Sequence, residues 1–478
     1  MKLNKAMILC GILLCIGLRV ISQQSNTLTL KQAVETAITN NLDVKQSELQ
    51  METAGINRTR AKANRFPYLE GFAFHGANQG RSIDPVTNQF VSQQINYANY
   101  GINTGVLLFN GLSIHNNIKS NNLAHEASKM EWQQNKDNLT LNVILAYLQV
   151  LNNTDLLGQS RNQAELSRRQ VERLQILNEL GAIPPSQFYD LKGQLASDEL
   201  SITNTQNSLD GARLLLSQLM NVPYDNTLQV ERISIDQFTM DYGSTPEQIY
   251  QVALEQLALV KGASLRRQSA ARNVKSVRGE LYPTISLNGN LTTNYSSAAF
   301  QDILIGITDQ ETNNYVKING VNTPVFTPVQ NFNFERIAYR SQLDNNLFTS
   351  VNLGLRIPIF NALQTRSRLR LAKIAEKNSL YIEETTRIQL KQNIEQAYFN
   401  MTAAQNRYKS ITEQVAAFAE SFRAAEERFN AGIGAAVSVE YLVAKNNLDR
   451  ANISLIQARY DYVLRTRILD YYQSKPVW

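Results

Sequence analysis

The sequence predicts a mainly α chain with β, built as two tandem structural repeats, each a β-hairpin followed by a long antiparallel helical hairpin. Three observations carry this prediction. The chain is written twice, it contains charge-free segments with period-two alternation, and it contains very long proline-free stretches with helical spacing of apolar residues.

The duplication comes first. Thr29, Gln32, Ala37, Val44, Lys45, Leu49, Ala54, Asn57 and Pro67 recur in the same order as Thr245, Gln248, Ala253, Val260, Lys261, Leu265, Ala270, Asn273 and Pro283. Further on, Phe109-Asn110, Asn142, Ala146-Tyr147, Gly181, Leu191 and Asp198 recur as Phe360-Asn361, Asn393, Ala397-Tyr398, Gly432, Leu442 and Asp449. The offset grows between Pro283 and Phe360, so the second half carries one longer loop there. The expected division is a signal peptide over 1–22, a first repeat over 23–221, an equatorial segment over 222–244, a second repeat over 245–472 and a tail over 473–478.

Each repeat opens with a helical piece, Leu28 to Arg65 or Thr245 to Leu281. Phe66-Pro67 and Tyr282-Pro283 end these pieces, because proline lacks the N–H and disfavours helix in the residue before it. Strands are expected near 68–80, 90–109, 283–296 and 347–360. In Tyr282 to Tyr295, Ile285, Leu287 and Leu291 alternate with Ser286, Asn288 and Asn290. From Pro85 to Ile118, and again from Leu281 to Gln301, there is no Lys, Arg, Asp or Glu. Strands with one apolar face and one face of Asn, Ser, Thr and Gly fit a boundary between lipid and water. A buried soluble sheet would need two apolar faces. Residues 296–346 are expected to form an extended loop.

Long helices follow, over 112–180 and 186–220 in the first repeat and 362–430 and 437–472 in the second. Leu139, Val143, Tyr147, Val150 and Leu151 show the three–four spacing, as do Leu166, Val171, Leu174 and Leu177. A continuous helix over 112–180 would run about 100 Å. Such a helix survives in water only by packing along its length.

Composition narrows the function classes. Lys2 and Lys5, the apolar run from Ala6 to Leu18 and the small residues near Ser22 read as an export signal. Both cysteines, Cys10 and Cys15, fall inside it, so disulfides and cysteine metal sites are not expected in the mature chain. Leu14 before Cys15 argues against lipidation. The formal charge of +6 includes Lys2, Lys5 and Arg19, and what remains is too weak to argue for nucleic acid. Three scattered histidines and the absence of phosphate-loop or triad spacing leave no metal, cofactor or catalytic residues to name. No later segment is apolar for long enough to span a membrane as a helix.

Four strands are too few to close a barrel, since single-chain barrels begin at eight, and open edges are not tolerated in hydrocarbon. Several copies must then share one barrel, and three would supply twelve strands.

The order of helix, proline-ended strand hairpin, corner, long helix, glycine-containing tip and return helix runs twice. The corners read Leu108-Phe109-Asn110-Gly111 and Ile359-Phe360-Asn361-Ala362. The order resembles the TolC-like outer membrane efflux protein family from Leu28 to Tyr472. The resemblance implies a homotrimer with a 12-stranded outer-membrane β-barrel continued by a periplasmic α-helical barrel. Its implied partners are outer-membrane lipid, a periplasmic adaptor (membrane fusion) protein and an inner-membrane pump of RND or ABC type. Adaptor docking would then fall on Gly181, Ala182, Ile183, Pro184, Pro185 and Ser186, and on Gly432, Ile433, Gly434 and Ala435, which otherwise read as plain turn residues. Pro184-Pro185 departs from the family's usual small-residue tip. Gate acids just inside the tips would be Asp190 and Glu440, with Tyr189, Tyr441 and Arg428 as partners; the alternative is an ordinary solvated helix face. A duct for type I protein secretion or metal-ion export is a second expectation, though the methionines do not cluster as soft-metal export would favour. A periplasmic coiled-coil protein without a pore is a third, from another class.

Overall fold

The computed structural model describes residues 27–83, 88–92, 94–233, 242–431 and 437–475. The expected signal peptide and the second tip, Gly432, Ile433, Gly434 and Ala435, lie outside them. In chain order the elements are β1 (Thr27–Leu28), α1 (Leu30–Asn40), α2 (Leu42–Ala63), β2 (Tyr68–Asn78), β3 (Arg81–Ile83), β4 (Phe90–Ser92) and β5 (Ile95–Asn110). Next come α3 (Ser113–Glu179), α4 (Pro185–Met220), β6 (Gln229–Val230), α5 (Pro246–Gln256), α6 (Ala258–Gly279) and β7 (Thr284–Ser296). The chain continues through β8 (Phe300–Ile318), β9 (Val321–Arg336), α7 (Tyr339–Asn345), β10 (Phe348–Arg356), α8 (Gln364–Ala431) and α9 (Val437–Tyr472). These residues form two compact units. One draws on the described residues up to Ala54, those of Ala124–Arg267 and those from Asn378 onward, the other on those of Gly55–Leu123 and Gln268–Lys377.

The helical unit repeats down to its caps. Thr29 and Gln32 close a reciprocal capping box at the start of α1, and Thr245 and Gln248 close the same box at α5. Each of these helices stops after 11 residues on an extended residue, Asn41 or Leu257. The single helical piece read from the sequence is therefore two helices. At the first break the Asn41 side chain restarts the helix by accepting from the Asp43 and Val44 N–H groups at 2.9 and 3.1 Å. One core packs Val143, Ile144, Tyr147 and Leu151 of α3 against α1, α4 and α9; another packs Leu390, Ile394 and Met401 of α8 against α5 and α9. Between the repeats, β6 pairs in parallel with β1. The Tyr147 hydroxyl contacts the carbonyls of Leu28 and Glu231 at 2.9 and 2.8 Å, pinning that ribbon to α3.

The second unit holds an antiparallel four-stranded sheet in the order β10-β7-β5-β2. Its register sorts the side chains into two faces, because residues opposite one another share a face and neighbours along a strand do not. Rows such as Leu69–Thr104–Gly289–Val351 and Val106–Leu287–Leu353 lie on one face. Glu70–Asn103–Asn290–Ser350 and Gly105–Asn288–Asn352 lie on the other. On this polar face the rings of Phe72, Tyr68 and Tyr97 occupy the places that Cβ atoms on Gly101, Gly105 and Gly76 would take. Such aromatic-over-glycine pairs cover backbone that glycine leaves bare.

Residues 296–346 are not a loop, contrary to the sequence expectation. Most of them form the β8–β9 hairpin, and α7 follows. The hairpin turns at Asn319-Gly320, whose φ values of 51° and 82° are those of a type I′ turn. Gln342 of α7 binds back to the Ser296 N–H and carbonyl at 2.9 and 3.0 Å, standing in for a strand partner.

Candidate docking and gate site at the helix tips

The first tip is built by a helix stop and a helix start separated by five residues. At the end of α3, Gly181 takes φ +67°, the Ala182 N–H reaches the Leu177 carbonyl at 2.8 Å and the Gly181 N–H reaches Asn178 at 3.0 Å. This pair of bonds is the Schellman closure, which favours glycine at the left-handed position. The return helix α4 starts with Pro184 as N-cap and Pro185 in its first turn, where the missing N–H costs nothing. Gly181, Ala182, Pro184, Pro185 and Ser186 are exposed, and only Ile183 turns inward. It packs on a cluster of Leu174, Leu191, Phe429 and Tyr441 that ties α3, α4, α8 and α9 together behind the tip.

Of the gate candidates, the structure brings two together. Arg428 donates to Glu440 at 2.7 Å, an exposed pair joining the end of α8 to the start of α9. Asp190 and Tyr189 are exposed on α4; Asp190 has no ion pair among the described residues, and the Tyr189 ring meets Phe188 edge-on at 5.1 Å. Tyr441 stands elsewhere, fully buried between Phe429 and Phe422 with ring centroids 4.6 and 5.5 Å away. Burial pushes its phenol pKa up, with Glu426 and Asp449 adding to the rise, so it stays neutral.

A charged cluster that the sequence reading did not single out lies one helical turn farther in. Lys445 is 1% exposed. Its Nζ reaches Asp198 at 3.1 Å and Asp449 at 2.7 Å, and Gln194 and Ser167 also donate to Asp198. Asp198 and Asp449 are repeat mates, and each takes a partner one turn earlier on its own helix: Gln194 in the first half, Lys445 in the second. Burial raises the Asp449 pKa although Lys445 pulls it down. The available signal was a lysine four residues before an aspartate whose repeat mate has glutamine in that place.

This architecture recurs in proteins of known structure. A solved structure of CusC, described for transmembrane channel formation, superposes with a TM-score of 0.74 at 15% identity, covering 93% of this chain and 91% of that one. The outer membrane protein VceC of Vibrio cholerae gives 0.72 at 14% identity, covering 93% and 94%. At these identities the likeness shows the fold. The family profile described as outer membrane efflux protein matches residues 33–222 and 249–469, one stretch in each repeat.

The chain belongs to the outer membrane efflux protein family.

Among its relatives are the outer membrane efflux protein BepC of Brucella suis, 20% identical over 98% of this chain and 90% of that protein. The outer membrane protein TolC of Escherichia coli is 20% identical over 70% of this chain and 60% of its own length. The chain is thus a protein of the outer membrane, and its family and fold are those of channel proteins rather than enzymes.

Proposed function

We propose that three copies of this chain close one twelve-stranded barrel through the outer membrane. The trimer serves as the passive exit duct of a tripartite efflux system, recruited by a periplasmic adaptor and an inner-membrane pump. The observation that carries this reading is the four-stranded sheet with one apolar face, one polar face and two open edges. Val351, Leu353 and Leu355 on the edge strand β10 are 64–72% exposed. Lipid would cover them. Unpaired edges have no place in hydrocarbon, so another copy must satisfy them. The geometry allows it: strand direction alternates through β2, β5, β7 and β10, so β10 of one copy meets β2 of the next antiparallel. The polar rows of Asn and Ser would then face water. The exposed first tip with its Schellman turn is the surface this reading gives to the adaptor, and the Arg428–Glu440 pair and Asp190 are the groups it gives to a gate.

Cysteine cross-linking tests the assembly, because the expected mature chain has no cysteine of its own. Leu69→Cys on β2 combined with single cysteines along β10 should give, at one register, a disulfide ladder ending at three chains. The same preparation should carry ion current in a planar bilayer. A chain that stays monomeric and dissolves without detergent would overturn the reading.

A further inference from the structure

In the second unit, the joints between sheet and helices carry a band of aromatic side chains followed by a band of positive charge. Phe66, Phe109, Tyr282 and Phe360 stand at the four joints and are 42–80% exposed. Beyond them the helices are basic almost without compensation. Residues 55–67 hold Arg58, Arg60, Lys62 and Arg65 and no acid; residues 111–123 hold Lys119 and no acid. Residues 268–283 hold Arg272, Lys275 and Arg278 against Glu280. Residues 364–377 hold Arg366, Arg368, Arg370, Lys373 and Lys377 against Glu376.

The chain as a whole is nearly balanced, with 47 Lys and Arg against 41 Asp and Glu, so this is segregation and not a general excess. Glu280 is occupied by Arg368 at 2.8 Å. Among the described residues no ion pair joins Arg60, Lys62, Arg65, Lys275, Arg366 or Lys373 to an acid, and all six are exposed. A solvated helix face normally alternates charge along its length. Here like charges repel one another, which is tolerated where an anionic surface neutralises them.

We propose that this band binds the headgroups of anionic phospholipids at the periplasm-facing surface of the outer membrane. The inference rests on the reading of the sheet as part of a lipid-embedded barrel. Aromatic rings sit at the boundary of the hydrocarbon in membrane barrels. Basic side chains just outside it reach back to the phosphates, lysine as a mobile point charge and arginine through paired N–H groups. Their attraction to an anionic surface fades within a Debye length, so only charges close to the rings count. Arg65 directly precedes Phe66 as the chain runs from helix into sheet, on the helix side of the ring, and Arg366 and Arg370 lie in the first two turns of α8.

The full chain in neutral detergent is titrated with phosphatidylglycerol or phosphatidylcholine, and bound lipid is counted by native mass spectrometry. Wild type should retain phosphatidylglycerol over phosphatidylcholine by at least about fivefold, the factor one basic residue near an anionic surface is worth. Two variants carry the test: Arg65, Arg366, Arg370 and Lys373 all changed to Gln, and the three arginines changed to Lys with Lys373 retained. The Lys set should keep the preference, and the Gln set should fall to parity while single-channel conductance is unchanged. Parity in wild type, or an undiminished preference in the Gln set, refutes the inference. So does a Gln set that alters the anion-over-cation selectivity of the current with lipid preference intact, because the charges would then serve an anionic cargo. Wild type that carries no current in any bilayer refutes the duct reading instead, while lipid binding in detergent is scored separately.

Discussion

The two repeats share helix lengths, caps and breaks, yet they dispose of their apolar residues differently. Leu148 of α3 is 3% exposed inside its own chain. Its repeat mate on α8, Phe399, is 68% exposed. Ile144, four residues before Leu148, and Met401, two residues after Phe399, are both buried, so each helix is seated on a core of its own. At this level of the helices the first half covers its apolar residue with its own chain; the second half keeps an apolar flank, with Ile382 and Ile388 also exposed, that needs a cover from outside. A tandem duplication can therefore keep one scaffold while changing what a single matched position does, burying it in one copy and presenting it in the other. In the proposed trimer that flank is where the next chain lies.

The comparison can be broken in several places. The largest effect is expected where the halves differ in charge: Lys445→Met leaves Asp198 and Asp449 buried together and should cost about 3–5 kcal/mol in thermal or denaturant unfolding. Pairing it with Asp198→Asn should recover much of the loss, whereas no recovery would place the lysine's role outside the cluster. Next, Leu148→Ala should cost about 2–5 kcal/mol of chain stability. Phe399→Ala should spare the isolated chain's melting and weaken the oligomer on size exclusion in detergent; equal melting losses for both would erase the distinction drawn above.

The helices α6 and α8 offer a pH test. Burial pushes the Glu383 carboxyl up, but hydrogen bonds from Arg267 and Arg387 outweigh it and hold its pKa below the ordinary value of 4.5. A depressed carboxylate stabilises above its unfolded pKa and loses that contribution as pH falls through the folded one. Stability should therefore fall with acid below about pH 4.5. Glu383→Gln should flatten that limb and cost roughly 1.5–3 kcal/mol at neutral pH. The smallest effect belongs to the first tip, where Gly181→Ala meets open space but a left-handed backbone, and should cost about 1 kcal/mol. Adaptor capture by that variant, measured by pull-down, should drop only if the turn's backbone shape is what docks. Charge reversal at Asp190 and at Glu440 should alter conductance or cation preference if they line the mouth, and unchanged currents would make them plain helix surface.

The fold class was legible because repetition amplifies weak signals. No single stretch of nine matched residues is decisive, but two blocks in order are, and Pro67 and Pro283 mark the same joint twice. The β8–β9 hairpin was not legible as such, since its strands carry charges and prolines that dilute the alternation. Asn319-Gly320 was the signal to use, a dipeptide suited to two consecutive residues at positive φ. The breaks at Asn41 and Leu257 were invisible for another reason: apolar spacing continues across them, and only the asparagine hints at a new start. At the tip, the turn was readable from Gly181 and Pro184-Pro185, while the inward position of Tyr441 was not. Which side of a helix becomes the core depends on neighbours far away in sequence, here Phe422 and Phe429.

The rings laid over Gly76, Gly101 and Gly105 have a consequence for calibre. An aromatic side chain that stands upright narrows any conduit it faces, and one that reclines on bare backbone does not. Each of these glycines keeps a ring down, so a single methyl at Gly101 would lift Phe72 toward the axis of a closed tube. In the proposed trimer the bore would thereby be tuned by the residues with no side chain, and widening or throttling it would require no change to the strand pairing.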